Sequence, residues 1–159
     1  EENFYSKSTS GDWHVFGTVG DDTLHPACYA TVEWQDGSKI QVIKDLKDGE
    51  FYIWIKNNTW NIQDEIDSYY DAEINFTNSR GVVNLKTEYL LINKNTIVIR
   101  DVIIDNFIDP FMIATEMEII MPGTIQNAYV TLNGSREAVA KIVECIEIFD
   151  KKISTKDTI

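Results

Sequence analysis

Between Trp13 and Leu132, apolar and polar residues alternate in short runs, each closed by a turn signal. A period of two puts residues i and i+2 on one face, so such runs read as half-buried β-strands. The clearest are Ala27–Trp34 (ACYATVEW), Phe51–Ile55 (FYIWI) and Tyr69–Phe76, where Ala72, Ile74 and Phe76 alternate with Asp71, Glu73 and Asn75. Shorter or weaker runs are Asp12–Val19, Ile40–Ile43, Val82–Leu85, Glu88–Ile92, Thr96–Arg100, Glu116–Met121 and Asn127–Leu132. Asp36-Gly37, Asp48-Gly49, Asn78-Ser79-Arg80-Gly81, Asn93-Lys94-Asn95 and Pro122-Gly123 supply turns. Residues 61–68 read as a loop or a short helical turn.

Two stretches break the period of two. Ile104, Phe107, Ile108 and Phe111 have helical spacing, but Pro110 disfavours a long helix, so one or two turns are expected there. After Asn133-Gly134, Val139, Ile142, Val143 and Ile146 repeat at i, i+3, i+4, i+7, with Ala138 and Cys145 along the edge of the stripe. That pattern predicts a closing helix. Ser135 could cap it by accepting a bond from a first-turn amide, and Glu137 sits where the helix dipole favours an acid.

Many short strands followed by a helix give a mainly β fold class: an antiparallel β-sandwich or open barrel with a C-terminal α-helix and a short helical segment near 104–114. With 159 residues one domain is expected, spanning 12–150, after a flexible N-terminal segment at 1–11 and before a frayed tail at 151–159. No apolar run approaches the ~18 residues of a membrane span. The opening EENFYSKSTSGD has no basic-then-apolar leader, which suits either a cytoplasmic protein or one whose signal peptide has been removed.

Charge narrows the choice of partner. Fourteen basic residues against twenty-six acidic ones give a net charge of -12, which opposes binding to nucleic acid and to anionic lipid. It leaves either a solubilising surface or an acidic face that steers a basic protein partner.

Candidate chemistry is sparse. His14, His25 and Asp21 or Asp22 could offer imidazole and carboxylate to zinc, but their spacing fits no zinc template and a solvated loop explains them; no metal site and no cofactor is assigned. Asp64, Glu65, Asp67 and Asp71, or Asp101, Asp105 and Asp109, could hold a glycosidase-type acid–base pair, yet clusters arise freely among twenty-six acids. No nucleophile elbow or phosphate loop is present, so no catalytic residue is assigned. Cys28 and Cys145 are the only cysteines. Paired, they would tie an early strand to the closing helix; unpaired, they would be ordinary core thiols. The aromatics Tyr52, Trp54 and Trp60 are the candidate binding residues, because such side chains dominate interface hot spots. On a strand, Tyr52 and Trp54 share one face while Phe51, Ile53 and Ile55 share the other.

Trp13, Cys28-Tyr29-Ala30, Asp36-Gly37-Ser38, Asn57-Asn58-Thr59-Trp60 and Leu132-Asn133-Gly134-Ser135 with Ala138 and Cys145 together resemble the invasion-associated locus B (IalB-like) family of exported bacterial proteins. The resemblance implies a β-sandwich-like domain with a C-terminal helix and a disulfide joining Cys28 to Cys145. It also implies a periplasmic or secreted location. It brings no catalytic motif. The expected function is therefore non-enzymatic protein binding at the bacterial envelope or a host interface. The alternative is an acidic inhibitor or immunity protein that blocks a basic hydrolase or toxin.

Overall fold

Alternation in the sequence becomes alternation in burial. In β5 (Phe51–Lys56), Phe51, Ile53 and Ile55 are buried while Tyr52, Trp54 and Lys56 are half-exposed, and β3 (Ala27–Glu33) buries Cys28, Ala30 and Val32 in the same way. The computed structural model describes residues 3–100, 104–122 and 127–157, with side chains from 105 in the second stretch and up to 152 in the third. The remaining strands are β1 (Asn3–Ser8), β2 (His14–Thr18), β4 (Lys39–Asp45), β6 (Tyr69–Asn78), β7 (Gly81–Asn93), β8 (Thr96–Ile99), β9 (Glu116–Ile120) and β10 (Asn127–Thr131). The helices are α1 (Ile104–Ile113) and α2 (Ser135–Asp157).

All ten strands form one antiparallel sheet in the order β1-β2-β3-β4-β5-β8-β7-β6-β9-β10. Sequence alone left a sandwich and an open barrel as options; the protein has a single open sheet that curls on itself. At one end its two edges meet through their turns. Asp12 N donates to Asn133 O at 3.0 Å, and a Cβ on Gly11 would lie 2.3 Å from that same oxygen, so only glycine allows the approach. Across the sheet, the Trp60 indole donates to Asn127 O at 3.0 Å, joining the segment after β5 to β10.

Both helices lie on the inner face. Phe107 of α1 packs on Phe51 and Phe76, and Phe111 meets Trp13 edge-on with centroids 5.3 Å apart. The α2 helix crosses β2 and β3, where a Cβ on Gly17 would come within 2.6 Å of Cys145 Sγ. The Cys28–Cys145 disulfide fastens it there, with both residues fully buried.

Several sequence expectations need adjusting. Residues 3–8, assigned from sequence to a flexible segment, pair with β2 as β1, because Tyr5 buries its ring. The runs Val82–Leu85 and Glu88–Ile92 are one long strand, β7. Helix α1 is a single ten-residue helix with Pro110 inside it: only three residues follow, and the carbonyl deprived of a donor belongs to exposed Asn106. Helix α2 continues through Asp157, past the point where fraying was expected. Its buried stripe runs along Ala138, Ile142 and Cys145, while Val143 is exposed; meeting Cys28 turns the helix about its axis relative to the predicted stripe. Ser135 does not cap its own helix. The first helical bond runs from Ala138 N to Gly134 O, and Ser135 Oγ donates instead to Phe111 O, at 2.7 Å, in the last turn of α1. Asp101, Gly123 and the last two residues of the expected tail lie outside the described residues.

Candidate functional site

Because helices fill the inner face, the outer face of the sheet is left without a covering element among the described residues. Its composition changes along the sheet. Across β1, β2, β3, β4, β5 and β8, cross-strand register stacks side chains into two rows, the first of which continues onto β7 and the start of β6. One row runs Ser8, His14, Thr31, Gln41, Trp54, Val98, Leu90, Tyr69; the other runs Ser6, Phe16, Tyr29, Ile43, Tyr52. Phe16 and Tyr29 have centroids 5.5 Å apart, and His14 sits 4.3 Å from Phe16. Neighbouring rings of this kind shield one another, which leaves Phe16, Tyr29, Tyr52 and Trp54 half-buried rather than exposed.

Cations flank the rings. Lys39 Nζ is 5.2 Å from the Trp54 ring centroid, and the Arg100 guanidinium carbon is 5.6 Å from that of Tyr52. Burial, and then the negative charge of Asp45, pushes the Tyr52 hydroxyl above its ordinary pKa, so it stays a neutral donor. His14 is held by hydroxyls, with Nε2 2.9 Å from Ser6 Oγ and Nδ1 2.7 Å from Ser8 Oγ.

The rest of the outer face, on β9, β10 and the parts of β6 and β7 beyond Tyr69 and Leu90, carries mostly polar and acidic side chains around Tyr129. Register places Glu118 between Tyr129 and Asn75, Glu116 between Thr131 and Thr77, and Asp71 beside Glu88. One sheet therefore presents an aromatic surface and an acidic one side by side.

Of the three aromatics singled out from sequence, Tyr52 and Trp54 lie together on the outer face, and Phe51, Ile53 and Ile55 face the core as expected. Trp60 does not join them: it is 4% exposed, packed in the core and bonded to Asn127. The sequence reading missed Phe16 and Tyr29 as their neighbours, since only the β2–β3–β4–β5 register shows that these positions adjoin. Asp64, Glu65, Asp67 and Asp71 are solvent-exposed at and before the start of β6, and Asp105 and Asp109 are exposed on α1. His14 and His25 belong to different surroundings: His14 faces Ser6 and Ser8, whereas His25 Nδ1 lies 2.7 Å from Asp45 Oδ2. Asp21 instead closes its own turn, accepting from Thr23 and Leu24.

A second apolar feature lies on the helical side. Phe51, Ile108, Val139, Ile142, Val143 and Ile146 line a cleft of about 160 Å³, which accounts for the part of the predicted α2 stripe that does not reach the core. No helix among the described residues is long and apolar enough to cross a membrane. No family model, no curated protein and no solved structure matches the chain.

Proposed function

We propose that the protein is an exported, non-enzymatic module that binds a protein partner through the aromatic half of its outer sheet face. The observation that carries this reading is the pair of rows through Trp54 and Tyr52, half-buried, uncovered among the described residues and edged by Lys39 and Arg100. Tyr, Trp and Arg are the side chains that most often anchor interfaces. The Cys28–Cys145 disulfide supports a periplasmic or secreted setting, where such bonds persist. It is also the pairing that the IalB-like resemblance implies. The chain lacks the second, mid-chain cysteine pair typical of that family, so the reading rests on the surface rather than on the family.

A cross-linking experiment tests it. With a photo-reactive residue at Gln41, between Thr31 and Trp54 in the row, the partner should be captured saturably from the native compartment and in both low and high salt. The same residue at exposed Glu147 on α2 should not capture it. Equal capture from both positions would sink the assignment of the face.

The acidic half of the sheet favours a second reading. Glu116, Glu118, Asp71 and Glu88 could steer a basic enzyme or toxin that the protein inhibits. Under that reading capture would come from Asn75 rather than Gln41 and would weaken steeply with salt.

A further inference from the structure

At one end of the outer face, donors from the loop before β3, the last residue of β4 and the β4–β5 turn converge in a way the binding reading does not use. His25 Nδ1 lies 2.7 Å from Asp45 Oδ2 and 3.8 Å from Asp48 Oδ2, and the three ligand atoms all lie within 4.8 Å of one another. We infer that His25, Asp45 and Asp48 form a binding site for a single divalent transition-metal ion of the zinc class.

The donor set fits that class. Imidazole nitrogen with two carboxylate oxygens suits zinc, whereas calcium calls for six to eight oxygens and magnesium keeps most of its water. Two bonds of ~2.0–2.1 Å at a tetrahedral angle place their donor atoms roughly 3.3 Å apart. The observed 2.7 and 3.8 Å fall about half an ångström on either side of that separation, and two of the donors, His25 and Asp48, are on exposed side chains able to adjust. A metal would take the place of the hydrogen that Nδ1 now shares with Asp45; that proton goes to solvent from an imidazolium, or the neutral ring carries its hydrogen on Nε2 instead. Water would fill the remaining position.

The surroundings hold the donors in place. Asp45 Oδ1 accepts from the backbone amides of Lys47 and Asp48 at 2.8 and 3.1 Å, which orients the carboxylate and leaves Oδ2 facing His25. Leu46 N donates to Pro26 O at 2.8 Å and ties the His25 loop to the β4–β5 turn. Of the neighbouring cations, Lys44 Nζ donates to Gly49 O and Arg100 lies 3.7 Å from Glu50, while Lys47 lies in the same turn as Asp48. Two carboxylates face one imidazole, an arrangement that a divalent cation would suit.

Isothermal titration of Zn²⁺ into tag-free protein with the disulfide intact tests the site. Wild type should bind one equivalent saturably. His14→Ala should bind equally well, while His25→Ala and Asp48→Asn should each bind at least tenfold more weakly, and Mg²⁺ and Ca²⁺ should bind at least tenfold more weakly than Zn²⁺. Because the chain has only two histidines, imidazole nitrogen NMR gives a second readout, with the resonances of His25 moving on zinc addition and those of His14 staying put. Absence of a saturable equivalent in wild type would overturn the inference. So would His25→Ala or Asp48→Asn binding within twofold of wild type, or Ca²⁺ binding as tightly as Zn²⁺. None of these outcomes depends on the aromatic face, whose own test is cross-linking from Gln41.

Discussion

Two polar atoms are buried with no hydrogen-bond partner among the described residues, Trp13 Nε1 and Tyr89 Oη. Burial also pushes the Tyr89 hydroxyl above its ordinary pKa, because an anion there would be desolvated. A buried hydroxyl without a partner costs ~1–3 kcal/mol, and removing it with its shape otherwise kept releases part of that cost. Tyr89→Phe should therefore leave thermal stability unchanged or raise it by up to about 1 kcal/mol, measured by denaturant melts; a loss beyond about 1 kcal/mol would mean the hydroxyl has a partner. At this scale sequence reasoning is strong on facing and weak on identity of contact. Alternation correctly separated Tyr52 and Trp54 from Phe51, Ile53 and Ile55. It could not separate Trp60, which follows the strand in a turn where a period of two no longer applies. Ser135 shows the same limit: its place before a helix suggested a cap, but the hydroxyl serves the end of α1, a neighbour only folding supplies.

Among the elements, α2 does most to bind the molecule together, and it does so with charge as well as apolar contact. Glu137 in its first turn accepts from Ser10 N and Ser10 Oγ, and those bonds hold its carboxyl below the ordinary range. Glu144 accepts from Lys7 Nζ and the Tyr5 hydroxyl, and these likewise hold it low. Both links run to β1 or to the turn that follows it, the part of the chain that alternation did not mark as strand. A carboxyl whose folded pKa is depressed contributes stability that is fully present above its unfolded value, near 4.5, and lost as pH falls through the folded value. The melting temperature should accordingly fall as pH drops below about 4.5, with the amides of β1 exchanging first, and Glu137→Gln with Glu144→Gln should flatten that fall. An unchanged acid limb in the double variant would assign the effect to other carboxyls. Element positions were largely legible: nine of the ten strands and both helices coincide with the periodic runs. β1 was missed because NFYSKS buries only Tyr5 fully and offers little alternation.

For the molecule as a whole, the antiparallel sheet followed by a helix was readable from local periodicity, but its closure was not. Whether many strands make two sheets or one depends on strand order, and the step from β5 to β8 rather than to β6 leaves no local signal in sequence. The edge-to-edge contact of Asp12 with Asn133 and the Cys28–Cys145 staple then hold the curl, with the disulfide restricting the unfolded chain over most of its length. Curling consigns both helices to the inside and, among the described residues, leaves the outside of the sheet without a covering element, aromatic on one part and acidic on another. The face proposed to receive a partner is thus a product of topology more than of any motif. The most direct test is the affinity of wild type and of Trp54→Ala with Tyr52→Ala for the partner captured from Gln41, with folding matched by circular dichroism and an intact disulfide. Hot-spot aromatics cost ~2 kcal/mol or more when truncated, so the double variant should bind at least tenfold more weakly in low and high salt alike. Unchanged affinity in a folded double variant would contradict the assignment of the aromatic face.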